Sequence, residues 1–370
     1  VIRRQKWLLY TMILFLTVAV MAGCGGASEA PEEQEPEVNQ EGPADEAGDR
    51  EEAMTLEDRL VIYSTHGEEM LALIAEGFTE KTGVAVDFIN LKGELADRVR
   101  AEKENPQADI MFGGPSSLYI TMAEEGIFES LEPSWQSSID PIFKDADGRW
   151  FGTMQTPVLI FYNEDALEGD QVPQSWAALA DPEYEGMIVS RDNVSSSQRA
   201  VIVALLDYHQ RNATFEEGVD YLKALDRNTK NYYGSGSLHF QSVGRNESPI
   251  SYGVLSAVMD NRNNNDMPLA IVDAEEGAIV ITDAIAAINN APHPHAAAAF
   301  VEYAGSLEVQ VLLANEYDRM PTLAEAIEAG PDWMKEPFKA MDVDWGNVAQ
   351  HELEWLNLWD TEIRDAGKDM

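Results

Sequence analysis

From Leu60 onward, short apolar runs alternate with segments whose apolar residues recur at helical spacing, and this alternation limits the fold more than any single motif. Leu60-Val61-Ile62-Tyr63 reads as a strand, closed by the turn-forming Ser64-Thr65-His66-Gly67. Met70, Leu71, Leu73, Ile74 and Phe78 then share one helical face and stop before Thr82-Gly83. A strand over residues 84–88, a polar helix over about 93–103 and a strand over 108–112 follow. Gly113-Gly114-Pro115-Ser116-Ser117 leads into a helix near residues 118–125. Three strand–helix pairs in succession predict an α/β chain with a largely parallel sheet covered on both faces.

Further along, residues 148–152 and 158–163 predict two strands joined by a turn. Pro173-Gln174-Ser175-Trp176 predicts a helix start, and residues 186–190 another strand. Ser195, Ser196 and Ser197 precede a helix carrying Val201, Ile202, Ala204 and Leu205. A helix over 215–225, strands near 250–253, 269–272 and 278–282, and helices near 296–304, 307–313 and 348–358 complete the reading. Tyr232-Tyr233 is assigned to a loop. Two α/β units are expected, and no polar linker divides them, so the chain should cross between them near 155–165 and 268–280. The assignment is 58–160 with 275–345 for lobe 1, 161–274 for lobe 2, and 346–370 for a C-terminal helical segment packed on the body.

The first residues carry a separate message. Arg3, Arg4 and Lys6 precede an apolar run over 7–23, the pattern of an export signal. A membrane-spanning helix is the rival by length, but Met21-Ala22-Gly23-Cys24 sets small residues directly before the chain's single cysteine. That tetrad resembles the bacterial lipoprotein signal, which implies a signal peptide over 1–23 and lipid attachment at Cys24. Residues 24–57, rich in Ala, Gly, Pro and acid, offer no apolar face to bury and are expected to form a disordered acidic tether. The protein is then extracytoplasmic, anchored on the periplasmic side or on the outer face of the cell membrane.

Acidic residues number 66 against 25 Lys and Arg, for a formal net charge of −41. Such a surface repels a phosphate backbone and argues against nucleic acid as a partner. Because the acids are spread along the chain, they read as a solvent-facing coat rather than a trap for a cation. No catalytic residues, cofactor or metal site are expected. Phosphate-loop and dinucleotide spacings are missing. Gly234-Ser235-Gly236-Ser237 lacks the strand-to-helix setting of a hydrolase nucleophile. His351-Glu352-Leu353-Glu354 lacks the second histidine of a zinc protease, and His293-Pro294-His295 reads as a helix start.

An ordered set of short motifs points further. It comprises Ile62-Tyr63-Ser64-Thr65-His66, Asp109-Ile110-Met111-Phe112-Gly113-Gly114 and Tyr162-Asn163. The stretch from Pro173-Gln174-Ser175-Trp176 to Glu185-Gly186, then Ser196-Ser197, Glu276-Gly277 and Arg319-Met320-Pro321, complete it. The set is similar to the extracellular solute-binding proteins of ABC importers, in the branch holding ferric-ion, phosphonate and sugar-phosphate receptors. The resemblance implies a two-lobed, type II periplasmic-binding-protein-like fold with a ligand cleft between the lobes. It also implies docking on a permease, a monomer and no catalysis.

In that branch His66 falls at the iron-binding histidine, but the strand expected to carry paired tyrosines reads Ile250-Ser251-Tyr252-Gly253-Val254. Gly113-Gly114 stand where a carboxylate is expected. The reading is therefore a small anionic solute, a phosphonate or sugar phosphate. The alternatives are a ferric-ion receptor and a solute sensor for a membrane signalling protein. Candidate ligand-binding residues are Ser64, Thr65, His66, Gly113, Gly114, Ser116 and Ser117 on one lobe, and Ser195, Ser196 and Ser197 on the other. Arg191 and Arg245 are possible charge partners, Tyr162 and Asn163 possible hinge supports, and Arg319 a cleft support or direct contact.

Overall fold

Strand β1 (Arg59–Ser64) pairs in parallel with β2 (Ala85–Asn90) on one side and β3 (Ile110–Pro115) on the other. The coordinates form a computed structural model that describes residues 55–91 and 94–366; the signal segment, Cys24 and the tether before residue 55 lie outside the described residues. Helix α1 (Glu68–Thr82) joins β1 to β2. Glu68 and Glu69 sit in its first turn and Lys81 in its last, each favoured by the helix dipole. It ends at Gly83, whose φ of 78° lets its N–H cap the Thr79 carbonyl. Helix α2 (Leu95–Ala101) precedes β3, and α3 (Ser116–Glu124) follows it directly.

Sequence expectation and structure part at the next strand. Residues 148–163 do not form two strands with a turn; β4 (Phe151–Asn163) runs unbroken for 13 residues. Gln155-Thr156-Pro157 resemble a turn in the sequence, yet they lie mid-strand, where β4 passes from one half of the molecule to the other. Pro157 faces Val280 on β9, and the pairing of β4 with β7 begins only at Val158, so the proline falls where β7 is not yet paired.

Beyond β4, Trp176 opens short 3₁₀ turns (Ala177–Ala180 and Pro182–Tyr184) rather than the expected helix. Its indole is 1 % exposed and donates to the Gly277 carbonyl at 2.8 Å. The Glu276 carboxylate accepts from the amides of Trp176 and Ala177, both at 2.9 Å. Tertiary bonds therefore replace the helical ones.

The second half contains β5 (Ile188–Arg191), α4 (Ser196–Asn212), α5 (Phe215–Asn228), β6 (Thr229–Tyr233), α6 (Gly236–Gly244), β7 (Ile250–Val254), α7 (Leu255–Asn264) and β8 (Leu269–Ile271). Thr214 and Glu217 form a capping box at the start of α5. Tyr232 and Tyr233 thus end a strand and are not in a loop. The chain returns through β9 (Ile279–Ala287), longer than the apolar run ending at Thr282 suggested. It closes with α8 (Pro294–Ala304), α9 (Leu307–Tyr317), β10 (Met320–Pro321), α10 (Ala324–Ala329) and α11 (Trp345–Leu358).

The strand order is β2-β1-β3-β9-β4-β7-β5-β6, with β8 and β10 pairing to β4. Parallel trios flank two long central strands that run antiparallel to each other and to their outer neighbours. One apolar cluster, with Phe78, Phe112 and Phe300, lies on the β1–β3 side. Another, with Trp176, Leu205 and Leu222, lies on the β5–β7 side. Val348, Trp355, Leu356 and Trp359 near the C-terminus join this second cluster.

A buried acid ties the first trio to its covering helix. Asp109 is fully buried and accepts from the Val61 amide (2.7 Å), the His293 amide (2.9 Å) and His293 Nδ1 (2.9 Å). His293 therefore positions the start of α8, and His295 meets Glu57 at the same helix end.

Candidate functional site

Parallel strands deliver their loops to the same edge, so the turns after β1 and β3 meet. Ser64 Oγ donates to the Phe112 carbonyl at 2.7 Å and accepts from the His66 amide at 3.0 Å. With its proton donated and the whole side chain buried, Ser64 brackets the two turns and has no donor to offer a solute. Asn90 Nδ2 adds a bond to the His66 carbonyl at 2.7 Å. Gly113, at φ 95°, passes beneath Thr65 and His66: a Cβ there would lie 2.5 Å from Thr65 Oγ1 and 2.8 Å from His66 Nε2. Gly114 follows at φ 99°, and Tyr119 donates to the Gly113 carbonyl at 3.0 Å. Two left-handed residues in a row turn the chain into α3, whose first residues are Ser116 and Ser117.

His66 is 6 % exposed, and its Nε2 has no hydrogen-bond partner among the described residues. Burial pushes its pKa down to about 4, the Asp283 carboxylate pulls it up, and the Arg319 guanidinium lowers it further. At neutral pH the ring is uncharged, with one nitrogen unpaired. Asp283 lies on β9 opposite Pro115 and accepts from Thr156 Oγ1 at 3.0 Å, so the mid-strand polar residues of β4 and β9 line the floor beside the β3–α3 turn. Arg319 Nε is buried without a partner among the described residues.

A pH effect follows. The folded pKa of His66 lies below its unfolded value of about 6.5, so the unfolded state binds the extra proton in the window between them. The stabilisation is complete above pH 6.5 and is lost as pH falls toward 4. Urea melts should show His66→Gln losing about 1.4 kcal/mol per pH unit of the wild-type slope across that window. An unchanged slope would mean that the ring is solvated.

On the other trio, β5 and β6 also point their C-terminal ends to a shared edge. Arg191 donates to the carbonyls of Tyr233 (3.2 Å) and Gly234 (3.0 Å) and braces that edge. Ser195 and Ser197 share a hydroxyl bond of 2.9 Å at the start of α4, and Ser196 is exposed. Buried Gln198 links Ser190 (2.6 Å) to the Tyr252 hydroxyl (3.2 Å) behind them. The Tyr232 hydroxyl is bonded to Asp226 and that of Tyr233 to Ser242, so both phenols are held in contacts within this half.

Three sequence candidates lie elsewhere. Tyr162 pairs with Ile250 at the starting end of β7, and Asn163 donates to the carbonyls of Val243 (2.8 Å) and Gly244 (3.2 Å). Arg245 follows α6 at the same end. Because β4 runs antiparallel to β7, these residues fall at the edge opposite Arg191 and Ser195. Asp283 and Thr156 were missed by the sequence reading. The available signal was a polar pair, Thr282-Asp283, interrupting an apolar strand.

Two parallel-strand halves are joined by long central strands, with hydroxyl-bearing helix starts at their edges. Residues 105–350 match the family described as bacterial extracellular solute-binding proteins, and the chain belongs to that family. A probable ABC transporter periplasmic-binding protein, y4fP of Sinorhizobium fredii, is 28% identical over 84% of this chain and 87% of its own length. An Fe(3+)-binding periplasmic protein of Serratia marcescens is 24% identical, covering 81% and 88%.

Among solved structures, apo ferric ion-binding protein A of Pasteurella haemolytica superposes with a TM-score of 0.74 at 18% identity, covering 85% of this chain and 100% of that one. AfuA of Actinobacillus pleuropneumoniae, with fructose-6-phosphate bound, gives 0.66 at 26%, covering 83% and 98%. The fold is the two-lobed α/β fold of periplasmic binding proteins. The chain is a non-enzymatic, extracytoplasmic receptor for a small solute.

Proposed function

We propose that the solute is ferric ion carried together with a small oxyanion, and that the protein grips chiefly the oxyanion. The observation behind this reading is the donor set around the β3–α3 turn. It holds one unpartnered imidazole nitrogen and a neighbouring carboxylate, and beyond them hydroxyls, helix-start amides and the Arg319 guanidinium. Helix starts and a guanidinium favour an oxyanion. A histidine and one acid cannot fill the shell of a ferric ion, and no group of three or more His, Cys, Asp or Glu is placed for a metal among the described residues. A chelating anion supplies the missing oxygens.

The names of the curated relatives favour ferric ion, the alternative in the sequence reading, over the phosphonate or sugar phosphate expected first. A metal-free sugar phosphate remains the second reading, favoured by the 26% identity to the fructose-6-phosphate-bound structure. On either reading 58–160 with 275–345 form one lobe and 161–274 the other, and solute contacts on both sides favour closure.

Calorimetry on the full-length chain separates the two. Ferric citrate is expected to bind at least about tenfold more tightly than citrate, a difference of about 1.4 kcal/mol. Saturable binding of fructose 6-phosphate with no response to ferric citrate would give the second reading the site.

We further infer that Cys24 carries a lipid and that residues 24–57 tether the receptor to the membrane, with the last of them, Glu57, held on the body by the Ala296 amide rather than disordered. Labelled palmitate fed to expressing cells should mark the wild type and not Cys24→Ser. Equal labelling of both would remove the anchor.

A further inference from the structure

The C-terminal helix belongs to one half of the molecule yet touches the other. Val348, Trp355 and Leu356 of α11 are buried in the cluster around Trp176. Asp207 of α4, fully buried, fixes the start of α11 by accepting from the Asp344 amide (2.8 Å) and Asn347 Nδ2 (2.7 Å). Helix α11 is therefore carried by α4. It also packs on α3, which follows β3 on the far side of the two long strands.

Glu352 stands at that meeting. Its Oε2 accepts from Ser117 Oγ at 3.3 Å, and its Oε1 lies 3.7 Å from the Arg199 guanidinium. Ser117 is the second residue of α3 and Arg199 the fourth of α4. A carboxylate thus accepts from a hydroxyl of one half and faces a guanidinium of the other, groups of the kind that hold an oxyanion. An independent sign of a ligand lies in the turn before α3. His66 Nε2, buried and unpartnered among the described residues, sits over Gly113 in the turn that leads to Ser117.

We propose that Glu352 is a resident anion: it accepts from Ser117 and faces the Arg199 guanidinium across the two lobes, and the solute's oxyanion displaces it. The inference rests on the reading of the solute as an oxyanion carrier. Two anions cannot share these donors without repulsion. Displacement also breaks the Ser117–Glu352 bond between α3 and α11, so occupancy is linked to the contact between the lobes. Affinity is set by the difference between the two anions at the same donors, and Glu352 keeps weakly anionic solutes out.

The test titrates ferric citrate and fructose 6-phosphate into the full-length wild type, Glu352→Gln and Glu352→Ala, with circular dichroism confirming equal folding. Removing the competing charge is expected to tighten binding of at least one probe about tenfold in both variants. If the wild type binds and both variants bind equally or more weakly, Glu352 is no competitor; the inference falls while the solute reading stands. Binding seen only in the variants supports displacement in its strongest form. Binding by none of the three proteins overturns both readings together.

Discussion

Gly113→Val is expected to reduce solute affinity by roughly a hundredfold, through two or three lost contacts at about 1–1.5 kcal/mol each. The backbone at Gly113 has φ 95°, a region that a β-branched residue enters only at a cost of about 1–3 kcal/mol. A Cβ there would also lie 2.5 Å from Thr65 Oγ1 and 2.8 Å from His66 Nε2. These are groups the proposed site uses, so relief of the clash moves the β1 loop away from α3. Thermal melting of the same variant separates the effects: a small drop in Tm with lost binding locates the damage in the loop. Near-wild-type affinity would place the solute elsewhere.

Asp109→Ala should cost about 3–5 kcal/mol of folding stability, because three donors lose a buried charged acceptor at once. The amides of Val61 and His293 and the ring of His293 all converge on this fully buried carboxylate. It joins β1 to the start of α8, and lies 184 residues before His293 in the chain. Urea denaturation would measure the loss, and a change below about 1 kcal/mol would mean that water replaces the carboxylate. The opening of the solute site should change little in the variant that remains folded, since Asp109 lies at the entry to β3 and the site at its exit.

Local chemistry explains what was legible. Apolar alternation exposed β1 to β3 and their helices, since each element buries a face set by nearby residues. The turns after β1 and β3 were found because glycine and hydroxyl residues punctuate strand ends. The same logic failed at residues 155–157, where a polar segment with a proline marks the middle of β4 rather than its end. It failed again at Trp176, whose amide bonds go to Glu276, 100 residues away.

Site membership was legible only in part. Ser64 has the right type and position, but its hydroxyl is used between two backbone groups. Tyr162, Asn163 and Arg245 are carried to the far edge by the direction of β4.

By itself, then, the sequence determined the α/β class, the glycine turns that shape the β3 exit and the hydroxyls set at helix starts, all of which depend on residues close in the chain. Tertiary structure alone decided that β4 and β9 run unbroken between the halves, that Asp283 and Arg319 act on His66, and that Glu352 reaches Ser117. Those contacts join residues up to 253 positions apart. Strand direction and helix packing set them, and no local pattern encodes either.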